Sequence, residues 1–175
     1  MSSAPFLNTL HTLLRLPREQ GTVEFKSNLD EPSGIGRSLS ALANTAALGR
    51  HDRAWVVWSV DDATRRVHGT CFDPFTCKAR GNQSLMMWLQ QITQPRADFE
   101  FYELQHAQGR VVLLEIQPSC SAPVASQQQR WICVDSHAVK LADHPDNGER
   151  LCAQLAQEDD WHGELVPGPA PADLA

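Results

Sequence analysis

The sequence predicts a single α+β domain with a mixed, mostly antiparallel sheet and packed helices. Three observations carry this. Four segments show apolar residues at helical spacing, strand patterns fall between them without regular βα alternation, and hydrophobic residues make up 42% of 175, enough to bury a sizeable core.

Phe6, Leu7, Leu10, Leu13 and Leu14 recur at helical spacing, and Pro17 ends that helix. Thr22 to Lys26 alternates as a half-buried strand does: Val23 and Phe25 turn to the core, and Thr22, Glu24 and Lys26 share the other face. A polar loop containing Pro32 follows. Ser33 is expected to cap the next helix, in which Ile35, Leu39, Leu42 and Ala46 line one side. Its small residues Ser40, Ala41, Ala43 and Ala47 allow close approach to a sheet, and Gly49 supplies a C-terminal stop.

Ala54 to Val60 is a near-continuous apolar run of strand length, the mark of a central strand buried on both faces. Asp61 to Arg66 reads as a turn and Val67 to Gly69 as a short return strand. Leu85, Leu89 and Ile92 mark a helix closed by Pro95. Phe99–Leu104 and Arg110–Ile116 form a hairpin around Gly109. Trp131 to Val134 is a further strand, continued near Val139, and Leu151 and Leu155 mark a last helix from about Pro145 to Gln157. The domain is thus expected over 1–157. Residues 158–175, rich in Pro, Gly and Ala, read as a flexible acidic tail with too little apolar content to pack.

Fifteen basic and twenty-one acidic residues give a net charge of −6, at first sight unsuited to phosphate. Five of the acidic residues lie in the tail, which has no basic one, so residues 1–157 carry only −1 and residues 1–80 carry +2. Such a body permits a local basic stripe. No apolar run approaches the ~20 residues of a membrane span, and the N-terminal residues lack a signal-peptide pattern. The expectation is a cytoplasmic protein without a membrane partner. The odd count of five widely spaced cysteines fits reduced thiols. His68, Cys71 and Cys77 lie close in sequence and could supply zinc ligands, but their spacings match known zinc sites poorly and favour scattered core or surface thiols.

Gly34-Ile35-Gly36 lacks the third glycine of a dinucleotide fingerprint, and no Walker-type loop, Gly-x-Ser-x-Gly or His-Glu-x-x-His occurs, so no nucleotide cofactor is implied. What remains is acidic. Glu19 precedes the first strand, Glu24 sits on its polar face two residues from Lys26, and Asp61-Asp62 follow the central strand. If the two strands are neighbours, Glu19, Glu24 and Asp62 converge. Hard carboxylate oxygens suit Mg²⁺ or Mn²⁺, which activates water against a phosphodiester, with Lys26 on the phosphate. The same residues also read as a solvated strand face with a surface ion pair worth ~0–1 kcal/mol and ordinary turn residues.

Val23-Glu24-Phe25-Lys26, then Ser40-Ala41-Leu42-Ala43-Asn44-Thr45, then Val56 to Asp62 with Val67-His68-Gly69, resembles the Schlafen-type, divergent AlbA-like nucleic-acid-binding domain. Val111 to Pro118 with Pro123-Val124, Trp131 to Ser136, Lys140-Leu141 and Asp143-His144-Pro145 continue the likeness, which covers residues 6–157. The resemblance implies an α+β fold, binding of RNA or DNA, and in bacteria frequent attachment to a helix-turn-helix regulator, an appendage expected to be missing here. Related animal domains cut transfer or ribosomal RNA with three carboxylates and a divalent metal. Motif by motif, those positions fall on Glu19, Glu24 and Asp62, with Ser59 where the family has glycine.

The sequence departs from the family pattern at Ala46-Ala47-Leu48-Gly49, at Cys133 in place of arginine and at Asp135 in place of glycine. The lysine-rich stretch near the end keeps only Lys140. Three functions follow as expectations. The first is a nucleic-acid-binding domain, of a transcriptional regulator or defence module, that contacts phosphate through Lys26, Arg37, Arg50, Arg53, Arg65, Arg66 and Lys140. The second is a metal-dependent endoribonuclease using Glu19, Glu24 and Asp62 with Mg²⁺ or Mn²⁺. The third is a non-catalytic protein-interaction module. Animal Schlafens pair two such domains in one chain, so a lone copy is expected to form a homodimer.

Overall fold

A computed structural model describes residues 4–16, 21–28 and 31–163. Helix α1 (Ala4–Leu14) buries Leu10 and Leu13 on one side. Strand β1 (Val23–Lys26) follows. Helix α2 (Pro32–Leu48) begins earlier than the sequence suggested: Pro32 occupies the first turn, where a missing N–H leaves nothing unpaired. Ser33 therefore lies inside the helix rather than at its cap, and its hydroxyl donates to Glu31 at 2.6 Å. At the other end Gly49 keeps a right-handed φ of −85°, and the left-handed residue is Arg50 at φ 54°. The N–H of Arg50 bonds Ala47 O and that of His51 bonds Ala46 O, a Schellman closure built on a non-glycine residue.

Strand β2 (Ala54–Trp58) is buried at every position, as its continuous apolar run requires. Val67 makes only an isolated bridge to Val60, so the expected return strand is a single pairing. Helix α3 (Leu85–Ile92) is capped by Ser84, whose oxygen accepts from Met87 N. It runs into the short strand β3 (Thr93–Gln94). Strands β4 (Phe99–His106) and β5 (Gly109–Ile116) form the predicted hairpin, but the turn is Ala107-Gln108 and Gly109 opens β5. The glycine is needed there because a Cβ at its φ of 136° would stand 2.7 Å from the Cα of Gly69.

These strands form one sheet, ordered β1-β2-β5-β4, with β1 parallel to β2 and the other pairs antiparallel. Its two faces bury separate cores. On one, Ile35, Leu39 and Leu42 of α2 and Leu85 and Leu89 of α3 pack on Val56, Trp58, Val112 and Leu114. On the other, Leu10 and Leu13 of α1 pack with Phe25, Val57, Leu104 and Leu113. A Cβ on Gly36 would lie 2.6 Å from Ile92 and 2.7 Å from Ser126 Oγ, so one glycine of the isolated Gly-x-Gly serves helix packing.

The single sheet expected from the sequence is in fact two. The second, ordered β3-β6-β7-β8, comprises β3, β6 (Ala125–Ser126), β7 (Gln129–Val134) and β8 (His137–Lys140). Both of its hairpins turn on two residues with positive φ, Gln127-Gln128 (49°, 66°) and Asp135-Ser136 (49°, 66°), the type I′ arrangement. Helix α2 completes the edge of β7 with side chains. Ser40 Oγ accepts from Trp131 N at 3.0 Å, Thr45 Oγ1 accepts from Cys133 N at 2.9 Å, and Asn44 Nδ2 donates to Trp131 O at 2.8 Å. After a 3₁₀ turn at Leu141–Asp143, helix α4 (Pro145–Gly163) packs Leu151 and Leu155 on Ile132, Leu141 and Ala47. Its backbone continues past the expected end at Gln157, and the rest of the proposed tail, 164–175, lies outside the described residues. No helix among the described residues is long and apolar enough to cross a membrane.

Candidate nucleic-acid interface

Strand β1 stands at the end of its sheet, bonded to β2 on one side. Alternation sends Val23 and Phe25 into the α1-side core and leaves Glu24 on the opposite face with Lys26. These two form an ion pair, Lys26 Nζ to Glu24 Oε1, at 2.6 Å. The parallel register brings the end of β2 beside Lys26: Ser59 N donates to Lys26 O at 2.9 Å. The chain then turns through 61–66. Asp61 Oδ1 accepts from Thr64 N at 2.7 Å and Thr64 Oγ1 at 2.8 Å, and Asp61 N donates to Arg66 O at 3.0 Å. The Thr64 N–H, then its hydroxyl, hold the Asp61 carboxyl below its ordinary range.

That turn sets Arg65 in a left-handed conformation, φ 58°, with its guanidinium carbon 3.9 Å from the centroid of the Phe25 ring. A cleft of about 400 Å³ opens between three elements: Val23, Glu24 and Phe25 of β1, Asp62 and Arg65 of the turn, and Asp135, Ser136 and His137 at the tip of the β7–β8 hairpin. His137 Nδ1 lies 2.7 Å from the carbonyl oxygen of Asp135, which fixes the ring over the hairpin turn. Farther along that hairpin Trp131 pairs with Lys140 across the strands, and Arg37 of α2 lies 5.0 Å over the Trp131 ring.

The structure thus gathers Glu24, Asp62 and Arg65 in one cleft, with Lys26 tied to Glu24. Arg37 and Lys140 meet at Trp131. Arg66 is exposed on the turn. Arg50 sits at the end of α2, and Arg53 is bonded to Glu115 of β5 at 2.5 Å, so neither lines the cleft. Glu19 lies outside the described residues. Among the described residues no three His, Cys, Asp or Glu side chains form a group able to hold a metal ion, which includes His68, Cys71 and Cys77. None of the five cysteines forms a disulfide. Burial pushes the Cys133 thiol up to about 11, against a hydrogen bond to Thr45, with the Glu24 charge adding to the rise.

Asp135, His137 and Trp131 were not selected as site residues from the sequence. A polar pair between two apolar strands was the available signal, but Asp-Ser lacks the glycine that normally marks a type I′ turn. A larger groove of about 1,090 Å³, between α3, the β6–β7 hairpin and α4, is lined by five glutamines with a single Arg130 and a single Glu149. The carboxylate and guanidinium chemistry lies in the smaller cleft.

The Schlafen, AlbA_2 family model matches residues 19–142, which span β1, the turn after β2 and the β7–β8 hairpin. The chain belongs to the Schlafen AlbA_2 family. At the level of that family it is a nucleic-acid-related domain. No curated protein matches the sequence. Among solved structures, the chain is similar to the DIP2311 protein from Corynebacterium diphtheriae, with 13% identity and a TM-score of 0.45. That match covers 78% of this chain and 26% of the other, so this Schlafen AlbA_2 chain spans about a quarter of that protein's length.

Two of this chain's departures from the Schlafen AlbA_2 pattern acquire a physical reading. Ser59 and Asp135 both stand where the resemblance has glycine, and both have positive φ, 92° and 49°. The backbone retains the conformation that glycine adopts without steric cost. Ser59 offsets part of the strain by accepting Gly69 N at 3.0 Å on its hydroxyl.

Proposed function

We propose that this domain binds the phosphodiester backbone of RNA or DNA along the β7–β8 hairpin and into the cleft at its tip. The observation that carries this reading is the placement of cationic and aromatic groups along one hairpin. Arg37 lies over the Trp131 ring, Lys140 stands across from it, and the turn of the same hairpin walls the cleft holding Glu24, Asp62 and Arg65. An indole paired with a guanidinium offers stacking to a base, and the two cations offer contacts to phosphate. The family's nucleic-acid association supports the same reading. The few cations along this surface imply modest affinity, and their phosphate contacts make it fall with salt.

The test is fluorescence anisotropy with tRNA, single strands and duplex DNA across a salt series. The expected result is an affinity that falls linearly with salt on logarithmic axes and weakens in Arg37→Ala and Lys140→Ala. No detectable binding to any of them at low salt would overturn the proposal.

A second reading, metal-dependent RNA cleavage, is favoured by the presence of Glu24 and Asp62 in one cleft. Their oxygens are the right donor type for Mg²⁺ or Mn²⁺. The described donor set does not complete such a site: Glu24 is engaged by Lys26, and although Asp135 and His137 line the same cleft, no three such groups among the described residues are placed to hold a metal ion. Binding is therefore the reading that the described residues fit.

A further inference from the structure

The geometry points to Arg65 as the residue that grips one backbone phosphate inside the cleft, an inference that rests on the nucleic-acid reading above and assigns its deepest contact. The guanidinium carbon stands 3.9 Å over the centroid of the Phe25 ring. A cation–π contact leaves the in-plane N–H donors available. Arg65 Nη1 is buried and has no hydrogen-bond partner, the only such side-chain atom among the described residues.

The carboxylates nearby do not satisfy it. Glu24 and Asp62 line the same cleft, yet Glu24 is paired with Lys26 and neither lies within ion-pair distance of Arg65. The backbone that carries the donor is held in place. Asp61 ties the turn together through Thr64 and through its own N–H and carbonyl, the latter accepting from Arg65 N at 2.8 Å. A positive φ at a side-chain-bearing residue is sterically uncommon and is here imposed by that closed turn. A guanidinium that lines the cleft and carries an N–H with no partner suits the tetrahedral oxygens of a phosphodiester. The flanking carboxylates Glu24 and Asp62 disfavour a partner with dense negative charge and favour one phosphate at a time.

The experiment compares wild type, Arg65→Met and Arg65→Lys, each checked for an unchanged melting temperature, in the same anisotropy series. One phosphate contact contributes about 0.9 to the salt slope on duplex DNA and about 0.7 on a single strand. Arg65→Met is therefore expected to lose that slope and, at 0.1 M salt, about eightfold affinity for duplex or about fivefold for a single strand. Arg65→Lys is expected to keep the slope and lose part of the affinity. An unchanged slope in Arg65→Met, with binding intact, overturns the inference and leaves the nucleic-acid reading standing. If wild type binds no nucleic acid, or the Met variant does not fold, the wild-type protein decides. Its Arg65 Nε–Hε resonance is followed during titration with inorganic phosphate: a saturable shift supports the phosphate grip, and none overturns it.

Discussion

Asn44 holds the backbone of Val124 by both of its polar groups: Oδ1 accepts from Val124 N at 2.8 Å and Nδ2 donates to Val124 O at 2.9 Å. The same amide also donates to Trp131 O and accepts from Ser119 Oγ at 2.7 Å, and the side chain is fully buried. One asparagine thus joins α2 to the segment before β6 and to β7. Replacing it with alanine leaves buried donors and acceptors without partners, each costing ~1–3 kcal/mol. Asn44→Ala is expected to destabilise the fold by about 3 kcal/mol or more in urea unfolding. A loss below about 1 kcal/mol would show that water replaces the amide.

Arg50 closes α2 in a conformation that glycine adopts at little cost. Arg50→Gly is expected to raise stability by about 0.5–1 kcal/mol, read from the denaturation midpoint. Because Arg50 does not line the cleft, the same variant is expected to bind nucleic acid with nearly unchanged affinity. A destabilised Arg50→Gly would show that the Schellman closure depends on the arginine side chain.

Ser59 separates two effects that act at one residue. Ser59→Ala removes the acceptor of Gly69 N–H and keeps the strain of φ 92°, whereas Ser59→Gly removes both. The glycine variant is expected to be more stable than the alanine variant by about 1 kcal/mol. Equal stabilities would mean that the backbone relaxes around alanine.

Cys133 is expected to resist alkylation at pH 8 while exposed Cys71, Cys120 and Cys152 react, as read by mass spectrometry of the folded protein. Its thiol titrates near 11 in the fold against an ordinary 9.0. The folded state therefore retains this proton more tightly than the unfolded chain. The stability so contributed is complete below 9.0 and is lost as the pH climbs to about 11. A Cys133→Val variant is expected to lose less stability over that interval. Early labelling of Cys133 would contradict its burial.

For the cleavage reading, Asp62→Ala is expected to abolish any RNA cut that requires Mg²⁺ or Mn²⁺ while leaving the melting temperature unchanged, since Asp62 is exposed. Equal cleavage by the variant would assign the signal to a contaminating nuclease.

Much of the scaffold was legible because it rests on period. The alternation from Val23 to Lys26 put Glu24 and Phe25 on opposite faces, and the unbroken run from Ala54 to Trp58 marked a strand with a core on each side. The second sheet was legible only in part: Trp131 to Val134 and the chain near Val139 read as strand, as β7 and β8 are, but not as a sheet of their own. Its hairpins turn on Gln127-Gln128 and Asp135-Ser136, pairs without the glycine of a type I′ turn yet both at positive φ. Its longest strand, β7, is completed on one edge by hydroxyl and amide groups of a helix, a pairing with no sequence period.

The amino-acid order alone determined an α+β domain, its buried central strand and the carboxylates carried at the ends of its first two strands, because hydrophobic burial imposes a local repeat that survives in the sequence. Only the tertiary structure decided that the Asp135 turn would wall the Glu24–Asp62 cleft and that Arg65 would lie on Phe25 with one donor unpaired. Those contacts join residues far apart in the chain, and their geometry is set by packing between elements rather than by any pattern within one.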